Sequence, residues 1–187
     1  MSMRTIYLLR HAKAVDREKW HGEDIERPLT PKGLKQAQGV AEALASASIK
    51  AILSSPALRC RDTVAPLARK TKRVPFEVVS FLAEGSDPLK ALHALVNWQN
   101  ATQERNGQEL TEGESRSLSV VACSHGDVIT GMLTELAQSK VITFSQILSA
   151  KGSLWILKTK GAEVVEAMYI EEPGSTFGRS AIRSVGI

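Results

Sequence analysis

The chain is 187 residues long, 43% hydrophobic and 24% charged, with a formal net charge of +4. That length suits one sizeable core rather than two independent domains, and no stretch nears the eighteen or so unbroken apolar residues that would span a bilayer. Its 24 lysines and arginines are scattered, with no basic run interleaved with aromatics, which argues against nucleic acid as a partner and for a basic surface with a cationic pocket.

Met1-Ser2-Met3-Arg4 lead straight into the first apolar run with no room for a leader's apolar core, so a cytoplasmic location is expected. The run Thr5 to Leu9 is the first predicted strand, and a charged loop from Lys13 to Arg27 follows it. Thr30-Pro31 opens a helix, since threonine suits the N-cap and proline the first helical position. Its stripe of Leu34, Ala37, Val40, Ala41, Leu44 and Ala45 runs to about Ser46. Ile49 to Leu53 is the second strand. Ser55-Pro56 repeats the cap signal for a helix through Lys70, with Leu58, Val64 and Leu67 inward.

Phe76 to Val79 is a short strand, and Asp87-Pro88 starts a third helix with Leu89, Leu92, Leu95 and Val96 on one side. The connection Gln99 to Arg116 is polar, holds two glycines and is expected to be weakly ordered. Leu118 to Cys123 is the strongest central-strand candidate, with a helix over Asp127 to Ala137 behind it. Leu154 to Lys158 and Val164 to Ile170, separated by Gly161, predict a hairpin closing the sheet. The segment 172–187 is rich in Gly, Ser and Arg and is expected to be peripheral to a domain spanning 1–171. Strands alternating with helices define a three-layer α/β/α fold, mostly parallel with an antiparallel end. Cys60 and Cys123 have neither metal-ligand nor disulfide-scaffold spacing and are expected to be buried thiols.

Two of these runs end on histidine, at Arg10-His11 and at Ser124-His125-Gly126, and Arg59 falls in the first turn of the second helix. Side chains that leave parallel strands at their carboxyl ends meet at one sheet edge, where open α/β folds bind ligands. Two imidazoles and two guanidinium groups there describe a pocket for phosphate. A phosphoryl transition state spreads negative charge over its equatorial oxygens, so donors must surround it while a nucleophile attacks in line. Arg10 and Arg59 offer planar forks, the latter helped by a helix N-terminus. His11, kept neutral by the flanking cations, is the expected nucleophile, with one ring nitrogen fixed on a backbone carbonyl. His125 would donate to the same oxygens or orient His11. Glu84 is the expected general acid for the leaving group, with Asp16 and Glu23 as competitors. Lys13, Arg17, Trp20, His21, Thr30 and Gly126 are candidate substrate contacts. No metal cluster or cofactor motif is visible.

At these residues the chain resembles the histidine phosphatase superfamily, also called phosphoglycerate mutase-like. The likeness rests on Arg10-His11-Ala12, the Pro-Leu-Thr-x-x-Gly-x-x-Gln-Ala stretch at Pro28 to Ala37, Ser-Ser-Pro-x-x-Arg at Ser54 to Arg59, and Ser124-His125-Gly126. It implies that His11 is phosphorylated, that Arg10, Arg59 and His125 hold the phosphate, and that no metal is needed. Arg10 to Ala14 is similar to protein phosphohistidine phosphatases, whereas Ser54 to Cys60 and Leu82 to Glu84 look closer to the phosphatase domain fused to Nudix hydrolases. The first likeness implies a phosphohistidine protein as substrate and the second a small phosphorylated metabolite or nucleotide. Glu84 is a departure from the phosphohistidine branch, whose imidazole leaving group needs less help than an alkoxide. A non-catalytic module that holds phosphorylated ligands is the competing class.

Overall fold

The computed structural model describes residues 3–98 and 118–184. Six strands, β1 (Met3–Arg10), β2 (Ile49–Ser54), β3 (Phe76–Val78), β4 (Leu118–Ser124), β5 (Leu154–Lys160) and β6 (Glu163–Ile170), form one sheet in the order β3-β2-β4-β1-β5-β6. β3, β2, β4 and β1 run parallel, while β5 and β6 complete an antiparallel end. Among the described residues five helices cover it: α1 (Pro31–Ala43), α2 (Leu58–Lys70), α3 (Pro88–Val96), α4 (Gly126–Gln138) and α5 (Thr176–Ser184).

The period-two alternation of β1 decides the layering. Tyr7 and Leu9 point into one core with Val40 of α1, Val64 and Leu67 of α2 and Ile182 of α5. Ile6 and Leu8 point into the other, with Leu92 and Leu95 of α3 and Met132 and Leu133 of α4. A strand buried on both faces reads as an unbroken apolar run, as β1 does. The expected three-layer α/β arrangement, mostly parallel with an antiparallel end, is what the chain adopts.

Several local expectations are corrected. Helix α1 ends at Ala43, and Leu34 is 55% exposed instead of inward. Gly33 takes the inward place in that first turn, because a Cβ there would collide with the Lys13 carbonyl. Leu89 is likewise 56% exposed, its inward place taken by Ala91. Helix α2 starts at Leu58, with Ala57 and not Ser55 at its cap, and Leu58 itself is half-buried. The connection 99–116 lies outside the described residues. In the segment expected to be peripheral, α5 buries Ile182 completely in the core beside α1. Gly39 and Gly174 let α1 and the chain before α5 touch backbone to backbone, since a Cβ on Gly174 would lie 2.6 Å from the Gly39 Cα.

Candidate active site

Strand register brings the site together before any side chain acts. Arg10 is paired with Ser124, and Ser54 with Cys123, so β1, β4 and β2 end level with one another. The ladder continues one residue further, with His11 N donating to Ser124 O at 3.0 Å and Ser55 N to Cys123 O at 3.0 Å. His11, Ser55 and His125 therefore leave three adjacent strands side by side. A cavity of about 520 Å³ opens at this edge, lined by Arg10, His11, Glu84, His125 and Gly126, together with Asp127, Thr130 and Ser149.

His11 is 6% exposed, and its Nδ1 donates to the Ala12 carbonyl at 2.8 Å. A carbonyl can only accept, so this contact fixes the proton on Nδ1 and leaves the Nε2 lone pair free. Burial lowers the His11 pKa to about 3, reinforced by the positive charge of Arg59 and Arg10 and by His125, with the Ala12 contact working in the other direction. The ring is neutral at physiological pH.

His125 is 1% exposed, with its ring centroid 5.4 Å from that of His11. Its Nδ1 faces Arg59 Nη2 at 3.3 Å and its Nε2 faces Ser55 Oγ at 2.7 Å. Because a guanidinium only donates, Nδ1 accepts and Nε2 donates to Ser55. Both nitrogens are thus engaged within the protein, and donation from Nδ1 to a phosphate oxygen requires that nitrogen to exchange its partner and gain a proton. Arg10 donates Nη1 to the Ser149 carbonyl, and its guanidinium covers Gly126.

Arg59 stands behind these residues, its side chain only 2% exposed. Its Nη1 donates to the Asp24 carbonyl at 2.8 Å, while Nη2 meets Glu84 Oε2 at 2.6 Å and Asp24 Oδ2 at 3.1 Å. Asp24 also accepts from Arg27 Nε at 2.9 Å and Arg17 Nε at 3.1 Å. Burial opposes the Asp24 charge, but the Arg27 and Arg17 hydrogen bonds and the Arg59 charge outweigh it and hold the carboxyl below its usual range. Glu84 closes the chain of charges by accepting from Arg17 Nη2 at 3.1 and 3.2 Å.

Of the expected residues, Arg10, His11, Glu84, His125 and Gly126 share the cavity wall, and Arg59 reaches it through Glu84. Arg17 is exposed and joined to the site through the same carboxylate. Lys13 and His21 are exposed and line no part of the cavity; Trp20 is half-buried, donating Nε1 to the Glu23 carbonyl at 2.9 Å. Thr30 caps α1, its hydroxyl accepting from Gly33 N and donating to Lys13 O. Asp16 pairs with Lys19 at 3.8 Å, and neither it nor Glu23 lines the cavity. Three residues were missed: Asp24, Ser55, and Thr63, whose Oγ1 accepts from Ala12 N and donates to Arg59 O. Ser55 lay within a recognised motif but carried only a capping signal.

The sheet has a phosphoglycerate mutase-like α/β fold, with His11, His125 and Arg10 on one cavity wall and Arg59 behind Glu84. Residues 6–87 match the model of the histidine phosphatase superfamily (branch 1). Over that stretch, less than half of the chain, the sequence is similar to that superfamily. A curated relative, the 8-oxo-(d)GTP phosphatase of Mycolicibacterium smegmatis, is 26% identical over 170 residues, covering 91% of this chain and 49% of its own length. The chain therefore spans about half the length of that relative. A solved structure named for the phosphohistidine phosphatase SixA of Agrobacterium tumefaciens superposes with a TM-score of 0.62 at 21% identity, covering 88% of this chain and 96% of that one. Phosphoglycerate mutase from Plasmodium falciparum gives 0.56 at 15% identity, covering 93% and 92%. At these identities the structural likeness is one of fold. No helix among the described residues is long and apolar enough to cross a membrane.

Proposed function

We propose that the chain is a phosphatase that transfers a phosphoryl group from a small phosphorylated metabolite or nucleotide to His11 Nε2 and then to water. The observation that carries this reading is the buried His11 ring, with its proton held on Nδ1 by the Ala12 carbonyl and its Nε2 lone pair available beside the cavity. In the first step the Nε2–P bond forms as the bond from phosphorus to the leaving oxygen breaks. Near neutral pH about a tenth of a monoester is the singly protonated form, its second ionisation lying at about 6, and Glu84 can pass the proton of that form to the leaving oxygen. Water then attacks the phosphohistidine, with Glu84 accepting its proton. Arg10 and Arg59 supply the positive charge that other phosphoryl-transfer sites draw from a metal, so the reading needs no metal or cofactor.

A nucleotide is favoured among small substrates by the relative named as an 8-oxo-(d)GTP phosphatase. A phosphohistidine protein is the second substrate class, supported by the SixA-like fold. Glu84 on the cavity wall favours the ester, because an alkoxide has more need of a proton than an imidazole. Nucleic acid and membrane have no part in this reading, and two free buried thiols suit a reducing cytoplasm. The test is rapid mixing with a phosphate-labelled substrate and quenching into alkaline detergent, since acid cleaves the N–P bond. The wild type carries one label per chain and His11→Ala none. Equal label on both, or phosphate binding without turnover in the wild type, removes the enzyme reading and leaves the binding module.

A further inference from the structure

Nη2 of Arg59 has two hydrogens and three acceptors: Glu84 Oε2 at 2.6 Å, Asp24 Oδ2 at 3.1 Å and His125 Nδ1 at 3.3 Å. The group that holds it most closely is also the one that bars the way from the cavity, because Arg59 is buried and Glu84 lines the wall in front of it. A phosphoryl oxygen that comes from the cavity to Nη2 competes first with the Glu84 carboxylate, its nearest acceptor. We propose that phosphate enters this site by exchange: Glu84 is a resident anion that gives up Arg59 to the incoming oxygen and moves fully onto Arg17, while Asp24 keeps the guanidinium in place.

This inference rests on the phosphatase reading and concerns how that same site takes its substrate. Three contacts decide which partner yields. Asp24 is tied down, since its Oδ1 accepts from Arg27, whose own side chain is 8% exposed and donates to the Val15 carbonyl at 2.7 Å. Asp24 also holds Arg59 a second time, through its backbone carbonyl on Nη1. Glu84, by contrast, has a side chain 44% exposed and already touches Arg17 with both oxygens. The backbone beside it need not move, because Gly85 N is held by Asp127 Oδ2 at 2.7 Å. The exchange therefore swaps one anion for another at a buried cation that is never left unpaired, which avoids the cost of a bare buried charge. It also leaves Glu84 at the cavity rim, held by Arg17 next to the leaving group.

The test is binding of tungstate, a tetrahedral oxyanion, measured by calorimetry on the whole chain, so that turnover is not the readout. Glu84→Gln removes the competitor and is expected to bind tungstate about three- to tenfold more tightly than the wild type. Asp127→Asn, which takes a negative charge from the same cavity wall without touching Arg59, controls for charge alone and is expected to give a smaller gain. Arg17→Ala should weaken tungstate binding in the wild type, where Glu84 is left with Arg59 alone, and weaken it less in the Glu84→Gln background. Equal gains for Glu84→Gln and Asp127→Asn, or the same cost of Arg17→Ala in both backgrounds, would overturn the exchange while leaving the phosphatase standing. If neither wild type nor variants bind tungstate, the phosphate pocket itself is wrong and both proposals go.

Discussion

The Arg10 guanidinium lies so close over Gly126 that a Cβ added to that glycine would stand 2.7 Å from the guanidinium carbon. Gly126 opens α4 and follows His125, so the first residue of this helix is the floor on which Arg10 rests. Gly126→Ala must push Arg10 away from its Ser149 contact by a few tenths of an ångström or more. A displacement near 1 Å costs on the order of a hundredfold in a well-aligned site. We expect kcat/KM to fall by about ten- to a hundredfold, with tungstate binding weakened in parallel and the melting temperature little changed.

His11 fixes the sign of a pH effect. Its pKa falls from the ordinary 6.5 to about 3, so between those values the unfolded chain binds a proton that the folded chain does not. The stability contributed by the neutral ring is fully present above 6.5 and is lost as pH falls toward 3. Replacing His11 by Gln removes this contribution, so the drop in melting temperature from pH 7 to pH 4.5 should be smaller in the variant. Activity follows the same logic: with a substrate whose own ionisation is known, kcat/KM should show no acid limb near 6.5 belonging to His11.

Ser55 is the acceptor for His125 Nε2–H at 2.7 Å, and both groups are buried. Ser55→Ala strands that N–H, a loss of about 1–3 kcal/mol for a buried donor. The ring can then rotate or bind a proton, and its Nδ1 contact with Arg59 is no longer enforced. The expected outcome is a lower melting temperature together with a fall in kcat/KM of about tenfold. Chemical shifts of the His125 ring, followed by NMR, should move in the variant while those of His11 stay put.

The same serine shows where sequence reasoning stops. Thr30-Pro31 and Asp87-Pro88 announce helices correctly because each side-chain oxygen caps the backbone three residues on, at Gly33 N and Lys90 N. Ser55-Pro56 carries the same local signal, yet its hydroxyl goes to a histidine 70 residues away and the helix begins later. Propensity is a local preference, and a partner supplied by the fold overrides it. The two histidines were legible for the opposite reason, each being the last residue of an apolar run buried on both faces. Asp24 carries no such mark. It matters only because the loop before α1 folds over α2 and brings Arg17, Arg27 and Arg59 around one carboxylate. Leu34 and Leu89 fit their helical stripes but fall in first turns, where Gly33 and Ala91 take the inward places.

Asp24 is expected to matter for both stability and turnover. Asp24→Ala leaves the buried Arg27 and Arg59 without their shared carboxylate, and we expect a loss of about 1–3 kcal/mol, discounted because the Asp24 side chain is 39% exposed. Arg59 then keeps Glu84 as its main anion, so kcat/KM should fall by about tenfold or more. Asp24→Asn retains one acceptor oxygen and should recover part of the loss in both measurements. Normal turnover in Asp24→Ala would show that Arg59 is positioned by other contacts.

Glu84 separates the two substrate classes. If it protonates the leaving oxygen, Glu84→Gln should slow an alkyl phosphate by about 10²- to 10⁴-fold, the usual range for a positioned general acid. An aryl phosphate with an electron-poor phenol leaves without that proton, so its first step should change by less than about tenfold. A phosphohistidine peptide, whose imidazole leaving group has less need of an acid, should behave like the activated ester. The second step complicates the comparison, because in the proposed mechanism Glu84 is also the base for water there, and its loss would slow dephosphorylation for every substrate alike. Single-turnover formation of labelled enzyme isolates the first step. Equal slowing of that step for alkyl and aryl substrates would place the acid elsewhere, and Asp127, on the same cavity wall, is the next carboxylate to test.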